Sequence, residues 1–461
     1  MKRSTLLKTA LGVTLIYASG VFAVENIHTG TVVVGAGAAG MRAALDLKDA
    51  GKDVILIDKS YILGGATNLA ATYFVVVGTK EQKAAGKYIS VENYIKRQQK
   101  MLPDVVPEKL KAQIGYSQEN LDYLNKLGAN ITRVLSDYQI ATADGSSLGA
   151  VISKVLAKSL KDKGVTVLMG TKADDLLLKN GRVEGVRITG KLGTYDIYAK
   201  NVVLATCGFA HNQDLVKKYA PEWAGLPTTT AVSSTGDGLV MALKAGAYTK
   251  HLDVVRMNPS VHSENGVNSS LSAARAEGGI MVNKDGKRFC NDYYPDYTQL
   301  SRWEMQQPES LAWIIIDDKA MKASKRLQGF KSKGYFIEAN SPEELAKKIG
   351  VPPENLKATL TKFAEAVKKG KDEEFGRAHN LKIDFTQLPL YAVSTKPGIQ
   401  VTLGGLELNS KMQVLNKAGK PIPGLYAAGE VTFDGSFRPG PTAVGLYQGH
   451  IAAQDIIKNS K

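Results

Sequence analysis

The feature that most constrains this chain is a strand, a glycine-rich turn and a helix in immediate succession, answered by a second strand. Residues 31–34 are a β-branched run that leads into Gly35-Ala36-Gly37-Ala38-Ala39-Gly40. Residues 41–50 then have helical composition, and residues 53–57 are an apolar strand closed by Asp58 and Lys59. Each glycine has its own reason. The first permits the tight turn, the second lets backbone amides approach a pyrophosphate, and the third lets the helix pack close on its strand. Ala38 and Ala39 open the helix with small side chains, where unpaired N–H groups and the helix dipole favour an anion. Asp58, 18 residues after Gly40, stands at a strand end and suits a ribose hydroxyl. The unit therefore predicts a dinucleotide site without choosing between nicotinamide and flavin cofactors.

A chain of 461 residues exceeds the usual length of one domain, so two domains are expected. Lys2, Arg3 and Lys8 precede an apolar run over 11–22 and Val21-Phe22-Ala23, which is read as a signal peptide over 1–23, cleaved after Ala23, with export to the periplasm. The run is too short for a stable membrane span. The formal charge of +15 falls to 15 − 3 = +12 without that segment. Its lysines are scattered rather than clustered, which fits a solvated surface; electrostatic steering toward an acidic partner is the alternative. No motif points to nucleic acid. Two cysteines, Cys207 and Cys290, with no C-x-x-C-H, exclude covalent c-type haem and thiolate-held clusters from these residues. Both are read as inert thiols, and no metal site is expected.

Residues 80–163 read as mostly helical, with strand-like segments at 165–169, 183–188 and 201–205. From 246 to 388 the texture changes to shorter apolar runs, polar turns and a Lys/Glu-rich helical stretch, as expected of an inserted domain. Residues 423–430 read as a strand ending in glycine, and 443–458 as a closing helix.

Four further glycine clusters, Gly64-Gly65-Ala66-Thr67, Ala205-Thr206-Cys207-Gly208, Thr235-Gly236-Asp237-Gly238 and Gly424 to Glu430, stand in the order found in the fumarate reductase and succinate dehydrogenase flavoprotein family, which this chain resembles over nearly the whole sequence after residue 23. The resemblance implies an α/β fold: a Rossmann-like FAD-binding domain in two segments, 24–245 and 389–461, with an α+β capping domain, 246–388, inserted between them. It implies that Gly429 and Glu430 hold the flavin's ribityl chain, and that Gly64, Gly65, Ala66 and Thr67 line the pyrophosphate and ring. Ala205, Thr206, Gly208 and Asp237 join them. No histidine lies in residues 60–75, so the FAD is expected to be non-covalent. Thr442 is a plausible cap for the closing helix, whose first residues, Thr442, Ala443 and Val444, would face the flavin with the positive end of the helix dipole.

By the same resemblance, reduction of an enoate joins hydride from flavin N5 to a proton from an acid, while cations hold the growing charge. Arg438 corresponds to the family's carboxylate clamp, and Arg275 to an arginine of its proton pathway. Departures are as informative. Ser272 stands where that pathway has a glutamate, Asp296 where it has its acid arginine, and Asn258 and Thr402-Leu403-Gly404 where fumarate-gripping histidines are expected. This argues against fumarate as the substrate. Tyr293, Tyr294 and Tyr297 surround Pro295-Asp296, closer to the ketosteroid dehydrogenase branch. Tyr297 is the first choice of proton donor, with Asp296 and Arg302 as rivals; a phenol needs a neighbouring cation such as Arg275 or Arg302 to serve. Arg438, Tyr294, Asn258, Thr402 and Gly404 are the expected substrate contacts. The leading expectation is a periplasmic reductase of an aromatic or heteroaromatic unsaturated acid, supplied with electrons by a separate c-type cytochrome. A steroid-type enone enzyme and a flavin electron-transfer protein without its own chemistry are the alternatives.

Overall fold

The computed structural model describes residues 26–70, 73–101, 105–264, 271–435 and 440–460; within residues 1–25 it gives only the backbone of three short strands, Leu6–Lys8, Thr14–Ala18 and Val21–Val24. The signal-peptide reading of 1–23 and the clamp residue Arg438 therefore lie outside the described residues. Among the described residues no helix is long and apolar enough to cross a membrane.

Two compact units form. The first holds Met1–Pro221, Ala231–Val254 and Thr402–Lys461, and the second holds Glu222–Thr230 and Val255–Val401. The sequence placed the limits of the insertion at 246 and 388, and sheet pairing explains the difference. Thr249–Lys250 pairs with Gly405–Leu406, which keeps it in the first unit. Leu390–Thr402 pairs with Ala312–Ile316 over five positions, from Tyr391↔Ile316 to Thr395↔Ala312, which carries it into the second.

In the first unit, parallel strands run in the order Thr166–Met169, Val54–Asp58, Ile27–Val34, Gly193–Leu204 and Pro421–Ala427. Val32 lies opposite Ile55 on one side and Val202 on the other. Helices cover both faces of such a sheet, so its central strands are apolar throughout, as Val32, Val33 and Val34 are. The front half of Gly193–Leu204 also pairs with Arg182–Gly190, which pairs in turn with Lys172–Lys179, giving an antiparallel ribbon. The helical reading of 80–163 holds for Val91–Met101, Pro107–Gly115, Ser117–Lys126 and Leu148–Asp162. It fails at the hairpin of Ile131–Ser136 and Gln139–Thr142, where Ile131, Thr132 and Val134 favour extended backbone and Asp137-Tyr138 closes the turn.

The closing helix, Pro441–Asn459, lies directly on the first helix, Ala38–Asp49. Two glycines make this possible. A Cβ on Gly449 would sit 2.2 Å from the Ala39 carbonyl oxygen, and one on Gly445 3.2 Å from the Ala39 Cβ. The last helix thus closes on the first turn of the helix that the glycine loop opens.

In the second unit a five-stranded sheet places Leu390–Thr402 between Val255–His262 and Ala312–Ile316, with Ile280–Val282 beyond and Ile337–Ala339 also pairing to Leu390–Thr402. Helices Pro342–Ile349 and Pro353–Lys369 start on prolines and end at left-handed Gly350 and Gly370. They bury Leu345, Leu356 and Phe363 in one core with Ile280, Ile314 and Ile315. Each such side chain contributes about 1.5–3 kcal/mol by leaving water.

Candidate active site

In the first unit the turn is held by its own backbone. Gly35 has φ +106°, and a Cβ there would lie 2.2 Å from the Ala205 carbonyl oxygen; one on Gly40 would lie 1.9 Å from the Gly35 carbonyl oxygen. Gly37 differs, because its nearest neighbour would be Thr67 Oγ1 at 3.7 Å. No protein atom crowds position 37, which leaves space beside it that a ligand could fill. Gly37 is also the N-cap of its helix, with no side chain capping it. The Ala38 amide donates to Thr67 Oγ1 at 3.0 Å, and the Gly64 amide to the Ala36 carbonyl at 2.9 Å, which ties the second glycine cluster to the first.

Asp58 accepts the Ala36 amide at 2.7 Å through Oδ2 and the Ser60 amide at 2.7 Å through Oδ1. It fixes the loop, and its remaining lone pairs can still take a hydroxyl. Lys59 donates to Asp237 Oδ2 at 2.7 Å and to Thr235 Oγ1. A cavity of about 560 Å³, open to solvent, is lined by Gly35, Gly37, Asp58, Lys59, Gly65 and Thr206, among others. Thr206 Oγ1 is buried there without a hydrogen-bond partner. The positive end of the helix at Gly37, the open space beside it and the orphan hydroxyl all fit a phosphate-bearing dinucleotide.

Glu430 accepts the Thr402 amide and hydroxyl at 3.1 and 3.2 Å, and the Cys207 thiol at 3.2 Å. Burial pushes its carboxyl up from the usual range. Cys207 holds φ +64°, a strained value for a side chain with a Cβ, and burial pushes its thiol up as well. Thr402, an expected substrate contact, is thus engaged by Glu430 within the first unit. Gly404 is glycine because a Cβ would lie 1.8 Å from the His251 carbonyl oxygen, a backbone contact rather than a ligand one. Thr442 is not a cap: the N-cap is Gly440, no side chain caps the helix, and Pro441 and Thr442 already lie inside it. Pro441 has no N–H and the Ala443 amide donates to the Gly440 carbonyl at 2.9 Å, so what this N-terminus offers an anion is the positive end of the helix dipole.

The second unit separates the three candidate acids. Asp296 is the N-cap of helix Tyr297–Met305, accepting the Thr298 and Gln299 amides at 2.9 and 3.2 Å. Arg302 is paired with Glu222 at 2.9 Å on the surface and stacks on Trp223. Tyr297 is half-buried, with the Arg275 guanidinium 4.9 Å from its ring centre. Arg275 itself is 2% exposed, donating from Nε to Ser260 Oγ at 2.8 Å and from a terminal nitrogen to the Asp292 carbonyl at 3.0 Å. Of the two cations expected beside the tyrosine, Arg275 is there and Arg302 is engaged elsewhere. Asn258 is buried and accepts the Ser260 amide at 3.0 Å, while Tyr294 is exposed and meets Trp303 edge-on.

Two groups escaped the sequence reading. Gln448 accepts the Gly429 amide at 2.7 Å, linking the closing helix to the Glu430 turn; the G-x-x-x-G of Gly445 and Gly449 was the available signal. Glu304 is fully buried, with one oxygen accepting the Thr395 hydroxyl at 2.9 Å and the other without a partner. Burial pushes its carboxyl well above the ordinary range. Nothing local in the sequence marks it as buried.

Comparison with known proteins agrees with these features. The family described as FAD binding domain matches residues 30–442. A probable fumarate reductase of Shewanella frigidimarina is 34% identical over 94% of this chain and 75% of its own length. A urocanate reductase of Eggerthella lenta is 29% identical over 87% of this chain and 69% of its own. An open-conformation flavocytochrome c3 fumarate reductase structure superimposes with a TM-score of 0.85 at 33% identity, covering 94% of this chain and 78% of that one.

Proposed function

This chain belongs to the FAD binding domain family, and on that premise we propose that it reduces the C=C bond of an aromatic or heteroaromatic α,β-unsaturated carboxylic acid. The coarser part stands on the comparisons: an FAD-dependent oxidoreductase of the fumarate reductase type, acting on CH–CH bonds. The finer part rests on one observation. Of the three acids the sequence offers, Tyr297 alone sits half-buried under the guanidinium of a buried arginine, while Asp296 caps a helix and Arg302 is ion-paired.

Gly35, Gly37, Ala38, Ala39, Gly40, Asp58, Lys59, Gly64, Gly65, Ala66 and Thr67 would hold the FAD, together with Ala205, Thr206, Gly208, Asp237, Gly429, Glu430, Thr442, Ala443 and Val444. Once bound, it supplies the hydride. The chain's own residues supply the rest. The helix N-termini at Gly37 and Gly440 would meet negative charge with the positive ends of their dipoles, without a cost of reorganisation. Arg438 would clamp the single carboxylate, an assignment that comes from the sequence pattern. Tyr297 would give its phenolic proton to the second alkene carbon, with Arg275 stabilising the anion left behind. Asn258 and Tyr294 would border the substrate, and an aromatic acid suits the exposed Tyr293 and Tyr294 better than a dicarboxylate does.

Export to the periplasm and a separate c-type cytochrome as electron donor complete the proposal, supported by the Lys2-Arg3 start with its apolar run and by the lack of C-x-x-C-H in these residues. The test is reoxidation of the dithionite-reduced FAD enzyme. Cinnamate and urocanate should restore the oxidised flavin absorption, neutral steroid enones should not, and Arg438→Ala should abolish the response to the acids. Turnover of enones without turnover of acids overturns this reading.

A further inference from the structure

Among the described residues, four buried polar atoms in the second unit lack hydrogen-bond partners, and three of them matter here: a terminal nitrogen of Arg275, the Ser301 hydroxyl and one carboxyl oxygen of Glu304. Their residues are 2%, 0% and 0% exposed. An unpaired buried polar group costs about 1–3 kcal/mol, so three in one neighbourhood need a reason. They are one neighbourhood. Tyr297, Ser301 and Glu304 stand at i, i+4 and i+7 of helix Tyr297–Met305, a spacing that puts all three along one face, about 10 Å from end to end. The Arg275 guanidinium lies over the Tyr297 ring, and its charge acts on Glu304.

Thr395, on strand Leu390–Thr402, has one hydroxyl proton to share between the first Glu304 oxygen at 2.9 Å and the Ala312 carbonyl at 3.4 Å. Cys290 is buried within reach of both the Glu304 and the Arg275 charge. Asp292, whose carbonyl holds Arg275, turns its carboxylate to Arg288, Arg377 and the Met281 amide instead. Arg275 is the cation whose charge acts on Glu304, and burial pushes this carboxyl toward its protonated form. A carboxyl buried at this cost, on the same helical face as the half-buried phenol, has the placement of a proton store.

We propose that Glu304 resupplies the Tyr297 proton through the Ser301 hydroxyl, with Arg275 steadying the anions that form on the way. The proposal rests on the reading of Tyr297 as the donor. The steps balance without electron transfer. The phenolic O–H breaks as the substrate C–H forms; the Glu304 proton then replaces it by way of Ser301 and water between these groups, each intermediate group gaining one proton as it gives one up, and the Glu304 carboxylate is reprotonated between turnovers. One internal water bound by the three unpartnered atoms can complete the chain, since such waters make about three hydrogen bonds. Glu304 is thus a positioning and supply residue that acts through Tyr297.

Glu304→Gln keeps the shape and an acceptor for Thr395 and removes the proton. With the FAD-loaded enzyme, dithionite as reductant and cinnamate as oxidant, kcat should fall at least about tenfold, with KM and the flavin absorption unchanged. The solvent deuterium isotope effect on kcat should rise, and Glu304→Asp should recover part of the rate. A Glu304→Gln enzyme with wild-type kcat and isotope effect overturns the relay, as does a parallel loss of kcat and KM in both variants, which marks a packing role. Infrared spectroscopy separates this from failure of the functional reading. If the wild-type enzyme reduces no unsaturated acid, that reading fails. The protonated carboxyl band present in wild type at neutral pH and missing in Glu304→Gln still supports Glu304 as the store, and its absence from wild type overturns it.

Discussion

The glycine loop of the first unit and the Arg275 neighbourhood of the second are built on opposite principles. The loop works by leaving side chains out: Gly35 and Gly40 are glycines because backbone oxygens stand where a Cβ would be, and Gly37 leaves open space beside the helix end. The second unit works by burying charge. Arg288 binds Asp292 at 2.6 Å and Asp372 at 2.8 Å, and Arg377 reaches Asp292 at 3.5 Å, all of them nearly inaccessible to water. A backbone device tolerates no substitution but needs no distant partner. A charge device is assembled from segments far apart in sequence, and each member leaves an uncompensated charge if another is lost.

That contrast can be broken most sharply at Gly35. Gly35→Ala adds a Cβ to a position with φ +106° and a carbonyl oxygen 2.2 Å away. It should cost about 4 kcal/mol or more and yield colourless protein, read by absorbance of the purified chain and by denaturant unfolding. If the variant binds FAD with wild-type stability, the loop is not held as described. Next in size is Asp372→Asn, which should cost about 3 kcal/mol while sparing the flavin absorption. Burial works against the Asp372 carboxylate, but Arg288 holds its carboxyl below the usual range. Its contribution is therefore complete above the ordinary carboxylate pKa and lost as pH falls through the depressed value, so the gap between variant and wild type should close in acid. A gap that widens as pH falls would contradict the ion pair. The smallest effect belongs to Thr442→Ala. A true N-cap loses about 1 kcal/mol on such a change, whereas Thr442 lies inside its helix and should lose under about 0.5 kcal/mol in thermal unfolding.

The same contrast explains what could be read in advance. The loop from Gly35 to Gly40 and its answer at Asp58 are legible because strand, turn and helix are neighbours in sequence as well as in space. The salt link from Lys59 to Asp237 is not, since it joins residues 178 positions apart. Glu304 reads as an ordinary polar residue of an amphipathic helix, and only Thr395, brought over by sheet pairing, shows that its face is buried. Asp296 carried a usable local signal, an aspartate directly before a helical run, which is the mark of an N-cap more than of an acid. The hairpin over Ile131–Ser136 and Gln139–Thr142 was hidden by the helices on either side, although its β-branched residues and two-residue turn were visible. The boundary at Val401 rather than 388 depends on which sheet the strand Leu390–Thr402 joins, a tertiary choice that composition does not encode.

The crossing of Gly445 and Gly449 on Ala39 also bears on the order of events during synthesis. The phosphate loop is among the earliest parts of the described chain to leave the ribosome, and the helix that backs its first turn is the latest. A nascent polypeptide stalled before residue 441 would carry the fingerprint yet lack the surface that braces it. Cofactor capture thereby becomes a report on the arrival of residues 441–459.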